Sequence, residues 1–254
     1  MSLNPPPLAR VIAIDTSRPT GSVAAYNPRQ TAAAGQPAAA ESLDDVVFSE
    51  TFDTPADHAR LLAGGIERTC RLAGWEPREA DLVGVVVGPG SFTGLRVGVT
   101  AAKVLAWACG CRLVGISAFD LVAYRCAGWV LRSWPDTESL ELAFDAGRGE
   151  VHAATADRSA ASPAGWHVAP SRLLARDAWI ASLAGGAIVI SPIESEAFAA
   201  RDDLRRPSEE LPRTTAADTA MLAVRLAEAG LLADPATLLP EYLRPSYAEE
   251  PRRR

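Results

Sequence analysis

Lysine is almost missing from this chain: of its 25 basic residues, all but Lys103 are arginine. With abundant alanine, this reads as a compositional bias of the genome, not as a device for holding nucleic acid. A net charge of −6 points the same way, because a protein that grips nucleic acid through its overall field is basic. No stretch approaches the roughly 18 uncharged apolar residues of a membrane helix. The longest candidates, Leu82–Val87 and Val97–Ala108, are short or interrupted by Lys103. Met1–Pro7 carries prolines where a signal peptide needs an apolar core, so a soluble, cytoplasmic protein is expected. Cysteine pairs spaced C-x-x-C are absent. Cys70, Cys109, Cys111 and Cys126 match no structural zinc pattern, and His58, His152 and His167 are scattered. Buried free thiols and no metal are expected. Arg252–Arg254 form a basic tail that reads as a solvated end.

Apolar residues make up 48% of the 254, enough for a sizeable core in one or two domains. The chain reads as two halves that begin alike. Arg10–Asp15 is a short apolar run ending in Asp, followed by a turn at Thr16–Thr20 and a second run, Gly21–Tyr26. Leu140–Asp145, the turn Ala146–Gly149 and Glu150–Ala156 repeat that pattern, which predicts a β-hairpin in each half. In the first half a strand is expected at Asp45–Phe52, a helix at Ala56–Ala73, a buried strand at Leu82–Val87 and a helix over Gly94–Ala108. The second half offers a strand at Trp166–Ala169, a helix at Ser171–Leu183, a strand at Ala187–Ile190 and a helix at Ala216–Ala229. Three antiparallel strands, then helix, strand and helix, is the order of the ribonuclease-H-like unit. Two such units make the actin/hexokinase/Hsp70 architecture, an α/β fold, with subdomains expected at 9–127 and 138–246. The Pro-, Ala- and Gln-rich stretch 27–42 reads as a disordered surface loop, and both tails as frayed.

The most informative segment is Gly88-Pro89-Gly90-Ser91-Phe92-Thr93-Gly94-Leu95-Arg96-Val97-Gly98. Pro89 and Gly90 suit a sharp turn after the buried strand, and Ser91 or Thr93 can cap the next helix. No Lys-Ser/Thr pair follows at the spacing of a P-loop. A nucleophile elbow at Ser91 would need glycines where Pro89 and Thr93 stand. An anion site at the helix start and a purely structural turn both remain open. Gly94, Gly98, Ala102 and Ala106 lie four apart, a stripe without bulk that lets another backbone come close.

Gly88–Gly98 followed by Val99-Thr100-Ala101-Ala102-Lys103 resembles the signature of the TsaB (YeaZ) family. Val11–Ser17, His58 with Leu61 and Leu62, Asp145–Val151 and Leu239–Arg244 resemble further motifs of that family, in order. The resemblance implies a non-catalytic partner of TsaD, the transferase that puts threonylcarbamoyl on a tRNA adenosine, with the ATPase TsaE in the assembly. It implies contact with tRNA only through that complex, no cofactor, and self-association as an option for the isolated chain. TsaD holds its metal partly through a His-x-x-x-His pair. Ala118 and Val122 stand about where those ligands would be, and neither coordinates a metal. Asp15 and Asp145 sit where actin-like ATPases place carboxylates near metal or phosphate, yet the turn after Asp15 has no glycine, so hairpin capping is the expectation for both. Gly185-Gly186 reads as a helix terminator, and His58 as a surface or packing residue. The alternative function is an actin-fold enzyme in its own right, a small kinase or a carbamoyl or acyl transferase. The resemblance also implies that the N-terminal half meets TsaD. Leu62 and Ile66 on the first helix and Gly94, Gly98, Ala102 and Ala106 on the second are the expected contact residues. Val97, Ala101, Val104, Leu105 and Ala108 would then cover the sheet; the reverse assignment, with the glycines inside, is the alternative.

Overall fold

A computed structural model of the chain describes residues 8–28, 47–193, 195–208 and 211–241. Most of the expected 27–42 loop, both tails and the end of the Leu239–Arg244 motif lie outside the described residues.

The first sheet is built from β1 (Val11–Asp15), β2 (Gly21–Tyr26), β3 (Val47–Phe52), β4 (Leu82–Gly88) and β5 (Arg112–Ser117), in the order β3-β2-β1-β4-β5. The hairpin strands β1, β2 and β3 are antiparallel, whereas β1, β4 and β5 run parallel. Parallel neighbours need crossovers, and α1 (Pro55–Leu72) and α2 (Phe92–Cys109) supply them. Because side chains alternate along a strand, β1 feeds two cores. Ile12 and Ile14 join Leu62, Val83, Val85 and Val99 beneath α1 and α2. Val11 and Ala13 point the other way, into a core shared with α3 (Ala118–Ser133) and α5 (Ala216–Glu228). Strands covered on both faces must be apolar throughout, which explains the unbroken Val-rich run of β4. At Gly84 a Cβ would stand 2.6 Å from Ala223 Cβ, so the glycine admits α5.

The second sheet contains β6 (Ser139–Gly147), β7 (Glu150–Arg158), β8 (Trp166–Val168) and β10 (Val189–Ile190), in the order β10-β6-β7-β8, with β9 (Arg172–Ala175) also paired to β7. This repeats the first sheet's order as far as its fourth strand, and among the described residues no fifth follows. The chain is therefore the duplicated ribonuclease-H-like α/β fold of the actin type, complete in the first copy and shortened in the second. Ser171–Leu183 is not one helix. Arg172–Ala175 fills the edge of β7 left open beyond β8, and α4 (Arg176–Ser182) is correspondingly short. Sheet pairing there satisfies backbone groups that an edge would leave open.

Helix α5 comes late in the sequence but packs across β1, β2, β4 and β5 of the first sheet. Beyond it an extended strap returns along the same sheet. Ala233 N–H donates to Leu113 O at 2.8 Å and Glu241 N–H to Val87 O at 2.7 Å, while Lys103 Nζ holds Leu238 O at 2.9 Å. One core, with Leu82, Val114, Leu121, Leu140, Phe144 and Trp166 in it, spans both sheets. Phe119 and Phe144 meet edge to face across that junction, with ring centroids 5.0 Å apart. Among the described residues no helix is long and apolar enough to cross a membrane.

Candidate functional site

The glycine turn connects β4 to α2 and lies directly on the β1–β2 turn. Ser91 N–H donates to Ser17 O at 2.7 Å, and a Cβ on Gly90 would overlap that same carbonyl. Ser91 Oγ caps α2 by accepting from Gly94 N–H at 3.3 Å. The small stripe follows, and its four members are all buried. A Cβ on Gly94 would overlap Thr16 O, and one on Gly98 would overlap Thr16 Oγ1. Ala102 and Ala106 continue the stripe into the core beneath α1 and α2. The outward orientation expected of the stripe is thus reversed: its close approach is to the chain's own first hairpin. Thr16 Oγ1 seals the contact by donating to Gly94 O at 2.7 Å.

The face of α2 that was expected to cover the sheet is correspondingly outside. Val104 is 58% exposed and Trp107 83%. Val97, Ala101 and Leu105 are half-buried and turn toward α1, where Leu62, Ala63 and Ile66 complete an apolar groove of about 660 Å³. Leu62 and Ile66 serve the core and the groove together. Glu67 and Arg96 are the charged residues on the groove wall. Leu72, at the end of α1, adds a further exposed apolar side chain. Large apolar side chains left in water over adjoining helices mark a surface built to be covered. Trp107 escaped the sequence reading. Its signal was a large aromatic at a position facing away from the stripe.

The hairpin aspartates take up the capping geometry expected of them. Asp15 Oδ1 accepts from Ser17 N–H at 3.0 Å and Ser17 Oγ at 2.6 Å, and Asp145 Oδ1 accepts from Gly147 N–H at 3.3 Å. Asp15 is buried, and that burial raises its carboxyl above the usual range despite the bonds from Ser17. Asp145 is exposed. His58 is buried under the same turn, its Nε2 3.1 Å from Pro19 O and in the space a Cβ on Gly21 would need. Ala118 and Val122 lie in the core of α3. Gly186 sits at positive φ before β10, in keeping with a terminator. Cys70 and Cys126 are buried, with both thiols pushed up to about 12. Among the described residues, no three His, Cys, Asp or Glu side chains are placed to hold a metal ion.

Residues 52–165, just under half of the chain, match the family model described as TsaD, tRNA N6-adenosine threonylcarbamoyltransferase. Over 98 residues the chain is 33% identical to the Bacillus subtilis (strain 168) tRNA threonylcarbamoyladenosine biosynthesis protein TsaB. That alignment covers 39% of this chain and 36% of TsaB, so the chain spans about a third of the length of this curated relative. Over nearly its whole length the fold is that of YeaZ from Pseudomonas aeruginosa. Two structures of that organism, one of them described as similar to peptidase YeaZ, superpose with TM-scores of 0.67. They are 22% and 20% identical, covering 93% and 92% of this chain and 100% of each solved chain. With the TsaB and TsaD matches added to that common fold, the chain is similar to TsaB/YeaZ proteins in part of its sequence and in its fold.

Proposed function

We propose that this chain is an accessory, non-catalytic subunit of tRNA threonylcarbamoyladenosine synthesis that docks on a TsaD-like transferase through the α1–α2 face. The observation that carries the reading is the apolar groove lined by Val104, with Trp107 exposed on the same helix. Burying such side chains against a partner is favourable by about 25 cal/mol per Å² of apolar surface, and tryptophan is enriched among the side chains that anchor interfaces. The role in tRNA modification rests on the name of the Bacillus subtilis relative. A supporting role fits the other half of the geometry: the glycine turn is closed on Ser17, and Ala118 and Val122 are core residues without ligand atoms. Through TsaD the assembly would include a TsaE-like ATPase, with tRNA reached only by way of the complex.

Co-expression with the TsaD of the same genome tests this. The wild-type chain should co-purify in stoichiometric amounts, and Val104→Glu should weaken binding roughly 30-fold or more by placing a carboxylate in a desolvated contact. Its melting temperature should stay within about 2 °C of wild type, since Val104 is exposed. Undiminished binding by Val104→Glu would remove the α1–α2 face from the interface. Threonylcarbamoyl transfer by the isolated chain would remove the accessory reading.

A further inference from the structure

Between the two sheets lies a seam that the docking face does not touch, and one side chain crosses it. Arg18, in the β1–β2 turn, points its guanidinium at the second sheet. Its Nη2 donates to Pro212 O at 3.0 Å, and its Cζ stands 5.8 Å from the centre of the Phe144 ring on β6. Pro212 lies in the segment leading into α5, so three stretches of chain far apart in sequence converge on one cation. The surrounding bonds tie the same hairpin to the segment entering α5, on the first sheet's side of the seam. Thr214 Oγ1 reaches Asp15 Oδ2 at 3.5 Å, and Ala216 N–H donates to Ser22 Oγ at 2.8 Å. Burial pulls the Arg18 guanidinium below its usual range, with Asp15 opposing that shift and Arg213 adding to it.

We infer that Arg18 is a clasp that holds the two sheets together as one rigid body, closing the seam between the paired hairpins with a tethered cation. Its guanidinium is suited to this, since a planar fork can hydrogen-bond a carbonyl edge-on while its face lies on an aromatic ring. Closure also binds the glycine turn, because Ser17 O, one residue before Arg18, accepts from Ser91 N–H. The docking helices α1 and α2 would therefore rest on a frame that does not hinge.

Amide hydrogen exchange on the full chain tests the clasp, with Arg18→Met as the variant that keeps bulk and removes charge and donors. Exchange should accelerate about tenfold or more in residues 15–22, 88–94 and 212–216 together, while peptides from α1 and α4 stay unchanged. Phe144→Leu should accelerate the same three segments by a smaller factor, and the double variant should gain less than the product of the two, as groups acting on each other do. Acceleration confined to residues 17–20 would reduce Arg18 to a local turn residue and overturn the inference. So would uniform acceleration in every peptide, which would assign it to general stability, or full additivity with Phe144→Leu.

Discussion

The two faces of α2 are built from opposite kinds of residue and do opposite things. On the inner face Gly94, Gly98, Ala102 and Ala106 lack bulk, and the first hairpin presses against them until Thr16 touches the helix backbone. On the outer face Val104 and Trp107 carry apolar bulk that stays exposed among the described residues. Small residues record a contact already made. Large apolar residues in water are, on the proposed reading, there for one still to be made. A helix stripe of glycine and alanine shows that something comes close, but not what it is.

Changing each face in turn sharpens this contrast. The largest effect should come from Gly98→Leu, whose side chain would have to displace Thr16 and Ile14. Overpacking a closed contact should cost about 3 kcal/mol, read as a fall of several degrees or more in melting temperature, and any loss of TsaD binding should track the unfolded fraction. A Gly98→Leu protein that melts like wild type would contradict the inner-face packing. Next in size, Trp107→Ala should leave the melting temperature within about 2 °C of wild type and weaken TsaD binding by about 2 kcal/mol, roughly 30-fold by calorimetry. If both faces lower stability alike, the distinction between them fails.

The smallest effect belongs to Asp15, beside the inner contact. Burial raises its folded-state carboxyl above the unfolded value, so ionisation costs stability as the pH rises through that raised value. Asp15→Asn can keep the Ser17 bonds without a charge. From acid toward neutral pH, wild type should therefore lose stability relative to Asp15→Asn, measured as the difference in urea midpoints at each pH. A difference moving the other way would mean that the Ser17 hydrogen bonds outweigh burial.

Much of the fold was legible because its signals are local. The buried runs at Val11–Asp15 and Leu82–Gly88, the hairpin aspartates and the repeated strand order all lie within short windows of sequence. Ser171–Ala175 was misread because its apolar pair Leu173–Leu174 suits a helix or a strand alike, and only the vacant edge of β7 decides between them. The orientation of α2 was hidden for the same reason: glycine permits approach by any backbone. Arg18 was invisible, since its acceptor Pro212 lies 194 residues away and no local pattern links them. The site was legible as a segment and not as a face.

The position of α5 bears on how the protein can be made. Its residues Leu222 and Ala223 complete the core over Val11, Ala13 and Leu82, and the strap to Glu241 closes the far end of β4. During synthesis the last strand of the first sheet is complete at Ser117, while α5 begins only at Ala216. Until then α3 alone covers part of that apolar side, and the positions opposite α5 wait until nearly the whole polypeptide exists. Such long-range closure slows folding and prolongs the life of sticky intermediates. The half of the molecule made first is thus the half finished last, and a truncated product that keeps all of α1 and α2 would still lack the helix that backs their sheet.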